Sequence, residues 1–187
     1  DKSAPNVLRE IGRLREETFR NAGGGTGLEC DLDEFDSGEG AYSQLIVWSK
    51  KEKEVVGGYR FIKGADVKMN TDGSPRLATA HLLNYSPLFM QKYLPFIIEL
   101  GRSFVQPKFQ PSSINRKGLF SLDNLWDGLG ALVIDHPDVH YFFGKVTMYP
   151  DFEPVARDMI IYFMNYYFPD NEQLVAAKNH LNYKTDI

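Results

Sequence analysis

The feature that most constrains the fold is a charged segment at the end of an apolar run. Glu99-Leu100-Gly101-Arg102-Ser103-Phe104-Val105 follows the run Tyr93–Ile98. An apolar run of this length with β-branched residues predicts a buried strand. A spacing of three places Glu99 and Arg102 on opposite faces of a regular strand, unless a bulge at Gly101 intervenes.

Two interpretations of these charges stay open at this point. An unpaired buried charge is very costly, so each charge needs its own partner elsewhere in the chain or must face a cleft. In the first case Glu99 and Arg102 are structural ion pairs that fix the strand register. In the second they belong to a functional site. The segment alone does not decide between the two.

The bulk composition indicates a globular protein and excludes some function classes. The 187 residues are 43% hydrophobic and 25% charged, which fits one domain over residues 1–187 with a substantial core. The net charge of −4 argues against general nucleic-acid binding. The single Cys30 excludes an internal disulfide and suits a reducing compartment. No apolar run has the length of a membrane span. Because the first residue is Asp1 rather than Met, we expect the natural protein to extend further at its N-terminus.

Charge is unevenly distributed along the chain. Residues 29–40 contain acidic side chains and no Lys or Arg, whereas residues 92–117 are mostly basic, with Glu99 as the exception. Two segments of opposite charge can serve two partners of opposite charge, or they can be two solvated loops.

The hydrophobic periodicity predicts alternating helices and strands around a mixed sheet, an α/β or α+β domain. The expected elements are a helix capped by Asn6 and ended by Gly23–Gly25, strands over Tyr42–Trp48, Val55–Ile62 and Leu77–Leu83, a short helix capped by Ser86, the central strand, a helix capped by Ser121, a strand over Tyr141–Met148 and a helix over Glu153–Phe168. Gly57-Gly58 predicts a bulge or a close backbone approach. The tail from Pro169 carries no functional signal.

One loop has the features of a phosphate site. The basic, glycine-containing segment Arg116-Lys117-Gly118 lies between the central strand and the helix that Ser121 is expected to cap. Backbone N–H groups and a helix N-terminus hold phosphate in such an arrangement. The run Gly23–Gly25 follows a helix and lacks the Gly-Lys-Ser/Thr ending, so it is not a nucleotide P-loop. The acidic segment misplaces the glycine and the closing glutamate of a calcium loop, and we predict no metal site.

Four ordered motifs carry a family resemblance. Arg15-x-x-x-Phe19, Asp31-x-Asp33-x-x-Asp36, Gly58-x-Arg60-Phe61 and Glu99-x-x-Arg102-x-Phe104 resemble the acyl-homoserine-lactone synthases, which have a GNAT-like fold and use acyl-carrier-protein thioesters. The stretches Leu14–Phe35 and Leu119–Tyr149 are more similar to GNAT-fold amino-acid N-acyltransferases. These bacterial enzymes make acyl-ornithine or acyl-glycine lipids, and some carry a haemolysin label.

The resemblance implies a single GNAT-like domain with a mixed, twisted sheet flanked by helices. Its central parallel strands would splay apart beyond Phe104-Val105, and an acyl-pantetheine arm would lie in the gap. A backbone N–H near Val105 would polarise the thioester carbonyl. The phosphate would meet Arg116, Lys117, Gly118 and Ser121. The donor would be an acyl-phosphopantetheine thioester of acyl carrier protein or of CoA, with no cofactor permanently bound. The basic segment 92–117 suits an acidic carrier protein.

The same resemblance implies roles for the charged motifs. An amino-acid ammonium would be drawn to Asp33 and Asp36, and its carboxylate would be bound by Arg15, Arg60 or Arg102. Phe19 would line the same substrate site. Glu99 is either the general base or a positioning residue, and only geometry can decide between these roles.

Differences from the lactone synthases limit the range of acceptor substrates that we expect. Their tryptophan after the first helix is replaced by Gly23–Gly25, and Gly101 and Ser103 flank Arg102, so a pocket for S-adenosylmethionine is not supported. A small amino acid such as glycine fits a glycine-lined loop better. We therefore expect a cytoplasmic enzyme of aminolipid synthesis, at the inner membrane face. The alternatives are a homoserine-lactone-type synthase and a non-catalytic acyl-carrier or lipid-binding module.

Overall fold

The first helix starts the fold and presents an apolar stripe to the sheet. The computed structural model describes residues 4–110, 119–149, 152–179 and 182–185. Helix α1 spans Pro5–Asn21 and buries Ile11 and Leu14. The predicted Asn6 cap is wrong, because the helix already begins at Pro5 and Ala4 occupies the cap position. Proline suits the first helical position, since its fixed φ is helical and its missing N–H is not needed there.

The main sheet has four strands in the order β1-β2-β4-β5, and a two-stranded sheet pairs β3 with β6. The strands are β1 (Ser43–Ser49), β2 (Glu54–Lys63), β3 (Leu83–Tyr85), β4 (Ile97–Val105), β5 (Tyr141–Gly144) and β6 (Val175–Ala177). β1–β2 and β2–β4 are antiparallel, whereas β4–β5 is parallel. With α2 (Leu119–Asp135) and α3 (Pro154–Tyr167), this confirms the predicted α/β class and mixed sheet.

The central strand β4 begins later than predicted and contains a bulge. Two short helical turns, Phe89–Tyr93 and Leu94–Phe96, precede it. Gly58 pairs with Phe104 and Arg60 with Gly101, so two residues of β4, Arg102 and Ser103, face the single Tyr59 of β2. Arg102 has a φ of 50°. The predicted bulge is therefore present, one residue beyond Gly101, and it turns Arg102 toward the face that carries Arg60.

The parallel strands separate as predicted. β5 pairs with β4 only from Ile97–Tyr141 to Leu100–Gly144, while β4 continues to Val105. The expected strand over Tyr141–Met148 therefore ends at Gly144. Beyond this point the chain no longer follows β4, and a gap opens along the edge of β4.

Other boundaries differ from the sequence expectation. Leu77–Leu83 is a series of turns, and the short strand β3 begins only at Leu83. The tail supplies β6, a strand without a sequence signal because only three residues pair. Ser121 does not cap α2 but lies in its first turn. The Ser86 cap is confirmed by the Phe89 N–H that its hydroxyl accepts.

The core consists of apolar clusters on both faces of the main sheet. One cluster packs Ile11 and Leu14 of α1 against Val55 and Phe104. Another packs α2 against Ile98, and a third gathers around Leu77 and the start of β4. α3 exposes much of its apolar surface, including Met159 and Tyr166. No helix within the described ranges is long and apolar enough to cross a membrane.

Gly57 and Gly58 allow the three antiparallel strands to approach closely. A Cβ on Gly57 would lie 2.4 Å from the Phe104 carbonyl oxygen, and one on Gly58 would lie 2.4 Å from the Leu45 carbonyl oxygen. The predicted close approach is thus confirmed.

We predict that Gly57→Ala destabilises the sheet, because its new methyl group meets a backbone atom that cannot move aside. Urea unfolding should give a free energy of unfolding lower by about 1–3 kcal/mol. Gly130→Ala is the matched control, since a Cβ there meets nothing within 4 Å. A Gly57→Ala protein as stable as wild type would contradict this account of the sheet.

Candidate functional site

Three arginines and three aspartates meet on one face of the sheet. We call them the Arg–Asp cluster: Arg15, Asp31, Asp33, Asp36, Arg60 and Arg102. α1 supplies one arginine, β2 and β4 supply the others, and the loop after α1 supplies the aspartates. The charged residues of the first three sequence motifs and the arginine of the fourth are therefore brought together. Equal numbers of each sign keep the cluster formally neutral, which lowers the cost of burying it.

The deep end of the cluster is closed to ligands. Asp36 Oδ1 accepts from Arg15 Nη1 at 2.9 Å and from Gln44 Nε2 at 3.0 Å, and Asp36 Oδ2 lies 3.1 Å from Arg60 Nη1. The Arg15 side chain is 0% exposed and that of Asp36 is 1% exposed. Burial alone would raise the pKa of Asp36, but Arg15 and Arg60 hold it below its ordinary value. Arg15 and Asp36 therefore have no surface to offer to a substrate in this conformation.

The outer end of the cluster reaches solvent. The side chain of Arg102 is 32% exposed and that of Asp33 is 24% exposed, against 3% for Arg60. Arg102 Nη2 lies 3.4 Å from Asp33 Oδ2. Arg102 Nε lies 3.0 Å from Asp31 Oδ2, although the two atoms are not aligned for a hydrogen bond. Burial raises the pKa of Asp31.

Glu99 is buried and fully hydrogen-bonded. Its carboxylate accepts from the Tyr42 hydroxyl and the Thr79 hydroxyl, from Ala78 N at 3.2 Å and from Thr79 N at 3.1 Å. The Ala78 N–H also donates to the Tyr42 hydroxyl oxygen at 2.8 Å, so three unshared donors and one shared donor engage the two carboxylate oxygens. Burial and the neighbouring Glu99 raise the pKa of Tyr42. Glu99 thereby fastens the turns around residues 77–80 to β4.

A charged cleft of about 560 Å³ lies between these groups. Arg60 and Asp33 form one wall, residues 77–81 form the opposite wall, and Glu99–Arg102 form the floor. His81, one of the four histidines of the sequence, is exposed on the second wall.

A second cavity of about 550 Å³ occupies the gap between the separated strands. We call it the strand gap; Phe19, Thr26, Ser103, Val146 and Tyr149 line it. A third cavity of about 550 Å³ shares Phe19 and Ser103 with the strand gap and leads past Val105 to Leu122 of α2. Gly101, Arg102 and Lys145 line both the strand gap and the charged cleft. A groove along β4 therefore meets the charged cleft at Arg102.

The backbone of β4 directs Val105 toward this groove. Gln106 N donates to Val56 O of β2 at 3.0 Å, and the Phe104 carbonyl lies against Gly57 of β2. Because alternate residues of a strand direct their N–H groups to opposite edges, the Val105 N–H points to the edge that β5 has left.

The glycine-rich loop after α1 is anchored by Glu16 and walls the strand gap. The Glu16 carboxylate accepts from Thr26 N at 2.8 Å and Gly27 N at 2.9 Å, and the Thr26 hydrogen bonds lower the pKa of Glu16 to about 2. A Cβ on Gly24 would lie 2.4 Å from the Tyr149 ring. The loop was expected to border the amino-acid acceptor. The loop borders the strand gap and not the charged cleft, and the expectation that it borders the acceptor stays a prediction.

The remaining predicted residues are distributed as follows. Phe104 packs its side chain into the core against α1. The Ser121 hydroxyl donates to Phe109 O at 3.0 Å, so it is not aimed at a helix N-terminus. Arg116, Lys117 and Gly118 lie outside the described residues. In the described part of the chain, no group of three or more His, Cys, Asp or Glu side chains is placed to hold a metal ion.

Sequence reasoning missed the groups that complete the site. Tyr42 and Thr79 were not recognised as partners of Glu99, because single hydroxyls in a strand start and a turn carry no pattern. Gln44 and Lys145 were missed because a single polar residue in a strand or loop carries no pattern either. Asp31 was recognised as part of an acidic motif, but the sequence analysis did not predict that it would pair with a buried arginine.

Comparisons with known proteins agree with this geometry. Residues 14–117 match the family model of the GNAT acetyltransferase domain. The chain is 51% identical over 185 residues to a protein of Phocaeicola vulgatus named glycine N(alpha)-acyltransferase, and 54% identical over 184 residues to one of that name from Bacteroides thetaiotaomicron. The matches cover 99% and 98% of this chain but 57% and 55% of those proteins, so the chain spans about half the length of these curated relatives. No solved structure matches the chain.

We predict that Asp36→Asn destabilises the protein strongly, because the buried Arg15 loses its ion-pair partner and the buried Arg60 keeps only Asp33 of its two partners. Breaking a buried pair in this way costs about 3–5 kcal/mol, which chemical unfolding measures directly. Arg9→Gln breaks the exposed Arg9–Glu29 pair and should leave the unfolding midpoint almost unchanged. Equal effects of the two substitutions would contradict the structural role of Asp36.

The Glu16 anchor predicts a pH-dependent difference between Glu16→Gln and wild type. A carboxyl whose folded pKa is lowered stabilises the fold above its unfolded pKa and loses that contribution as the pH falls. The thermal midpoints should therefore differ at neutral pH and converge between the ordinary value of 4.5 and about 2. Parallel midpoint curves across this window would show that the ionised Glu16 does not hold the loop.

Proposed function

The chain belongs to the GNAT acetyltransferase family, and from this premise we propose that it is an N-acyltransferase that moves an acyl group from a thioester to the amine of a small amino acid. The meeting of the β4 groove with the charged cleft at Arg102 carries the proposal. One substrate enters along the gap between the strands and the other occupies the charged cleft. Their reacting groups meet beside Gly101 and Arg102.

The charged cleft suits a zwitterionic acceptor. Arg102 presents a partly exposed guanidinium to the amino-acid carboxylate, and Asp33 attracts the ammonium group. Arg15 and Asp36 hold Arg60 and the loop of Asp33 in place, and they act as positioning residues rather than as ligands. The names of the two relatives favour glycine as the acceptor. Ornithine is the second amino acid that we propose to test.

The β4 groove suits an extended acyl-pantetheine arm. Its edge offers the Val105 N–H to a carbonyl group of the pantetheine arm, and the thioester lies further along the strand, beside Gly101 and Arg102, because three register positions separate Val105 from Gly101, about 10 Å. We propose long-chain acyl carrier protein as the donor, with acyl-CoA as the comparison. We propose a long acyl chain because the proposed product is a lipid, released at the inner membrane face.

The transfer is an aminolysis. The amine attacks the thioester carbonyl, a C–N bond forms, the C–S bond breaks, and the thiolate leaves. The amine loses two protons on its way from ammonium to amide; one reaches solvent and the other neutralises the thiolate. We assign Glu99 a positioning role, because its lone pairs are engaged by Tyr42, Ala78 and Thr79.

Thiol release from acyl carrier protein and from acyl-CoA tests the proposed function. The assay is run with glycine, ornithine, serine and homoserine-type acceptors, and the product is identified by mass spectrometry. The expected result is thiol release that depends on one amino acid, together with an N-acyl product. A folded protein that binds acyl carrier protein but releases no thiol with any acceptor would be a binding module.

We predict that Glu99→Gln lowers kcat/KM about 100-fold without removing the acidic limb of its pH profile, because the amide disturbs the wall around Thr79 and misplaces the substrates. Glu54→Gln is the matched control, because it makes the same substitution in the exposed Glu54–Lys108 ion pair. If the acidic limb of kcat/KM disappears in Glu99→Gln while the fold is retained, Glu99 is the general base and the positioning role is wrong.

A further inference from the structure

Neither the backbone conformation nor the packing of the protein requires a glycine at position 101. The backbone φ of Gly101 lies outside the left-handed region that favours glycine, and a Cβ built on it meets no atom within 4 Å. Among the glycines in the described ranges, only Gly130 shares both properties. Gly130 lies on the exposed surface of α2, where a side chain would project into solvent.

At the other glycines of the main sheet, a side chain is excluded by steric clash. A Cβ on Gly57, Gly58 or Gly144 would lie within 2.8 Å of a backbone carbonyl oxygen of the neighbouring strand. Gly101 belongs to the same sheet and pairs directly with Arg60, yet no neighbour approaches it. The space above Gly101 is therefore left open by the surrounding side chains rather than filled by them.

The register shows where this space lies. Residues directly opposite each other in an antiparallel pair direct their side chains to the same face. A side chain at position 101 would therefore lie beside Arg60, on the face of the charged cleft, one residue before Arg102. The open space is on the acceptor side of the site and next to the point where the β4 groove arrives.

We propose that Gly101 is the floor of the acceptor subsite: the space above it is filled by the backbone of the amino-acid acceptor. This inference rests on the proposed function. The carboxylate of the acceptor on Arg102 and its amine near the end of the β4 groove place its α-carbon over Gly101. A methyl group at position 101 then takes the volume that the α-carbon needs, and the amine no longer reaches the thioester.

Gly101→Ala and Gly130→Ala form a matched pair for the test. Both introduce one methyl group that meets no protein atom within 4 Å. Thermal unfolding should show that both variants fold. Gly101→Ala should lower kcat/KM for glycine about 100-fold, since a displacement of about 1 Å at reacting atoms has an effect of this size. Its KM for the acyl donor should stay at the wild-type value, and Gly130→Ala should match wild type in every parameter.

A second measurement uses the wild-type protein and needs no variant to fold. Titration of ¹⁵N-labelled protein with N-acylglycine should shift the amide resonance of Gly101 and leave that of Gly130 unchanged. Wild-type kinetics in Gly101→Ala, an effect confined to the donor KM, or a Gly101 resonance that does not move would each overturn the inference while the transferase stands. A wild-type chain that transfers to no amine would overturn the proposed function as well, so the two failures are distinguishable.

Discussion

The ion pairs of Asp36 are the interaction on which the rest of the site depends. This buried carboxylate joins Arg15 of α1 to Arg60 of β2, and it fixes the loop that brings Asp31 and Asp33 to β4. Burying so many charges is costly, and only their mutual neutralisation makes it tolerable. The cluster therefore links helix, loop and sheet, and it leaves only the outer pair, Arg102 and Asp33, in contact with solvent.

Two irregularities of β4 convert this charged framework into a site with two entrances. The bulge at Arg102 and Ser103 turns the guanidinium toward the cluster. The end of pairing at Leu100 and Gly144 opens the edge of the same strand. Because both irregularities fall within a few residues, the groove along β4 and the charged cleft meet at one point. The family comparison supports the reaction class, and this geometry is compatible with it.

The sequence predicted the framework of the site better than the roles within it. A buried apolar strand that carries Glu99 and Arg102 indicated a bulge and a need for charged partners, because charge burial demands compensation, whereas the partner motifs themselves were identified only by the family resemblance. The sequence did not reveal that Arg15 and Asp36 form a buried ion pair with each other, which leaves neither free to bind a substrate. Ion pairing depends on distances in the fold, which the spacing of residues along the sequence does not encode. The single-residue contacts of Glu99 with Tyr42 and Thr79, and the three-residue strand β6, were missed because they depend on tertiary contacts alone. The assignment of residues 1–187 to one domain stays a prediction.

The most direct measurement is a crystal structure with a bisubstrate analogue in which the glycine nitrogen is linked through an acetyl bridge to the pantetheine sulfur. The account predicts that the glycine carboxylate lies within hydrogen-bond distance of Arg102, that the bridging carbonyl lies beside Gly101, and that the pantetheine follows the edge of β4 past the Val105 N–H. An analogue bound instead in the apolar groove between α1 and β1, around Leu8 and Ile46, would contradict the central claim that acyl donor and amine meet at Arg102.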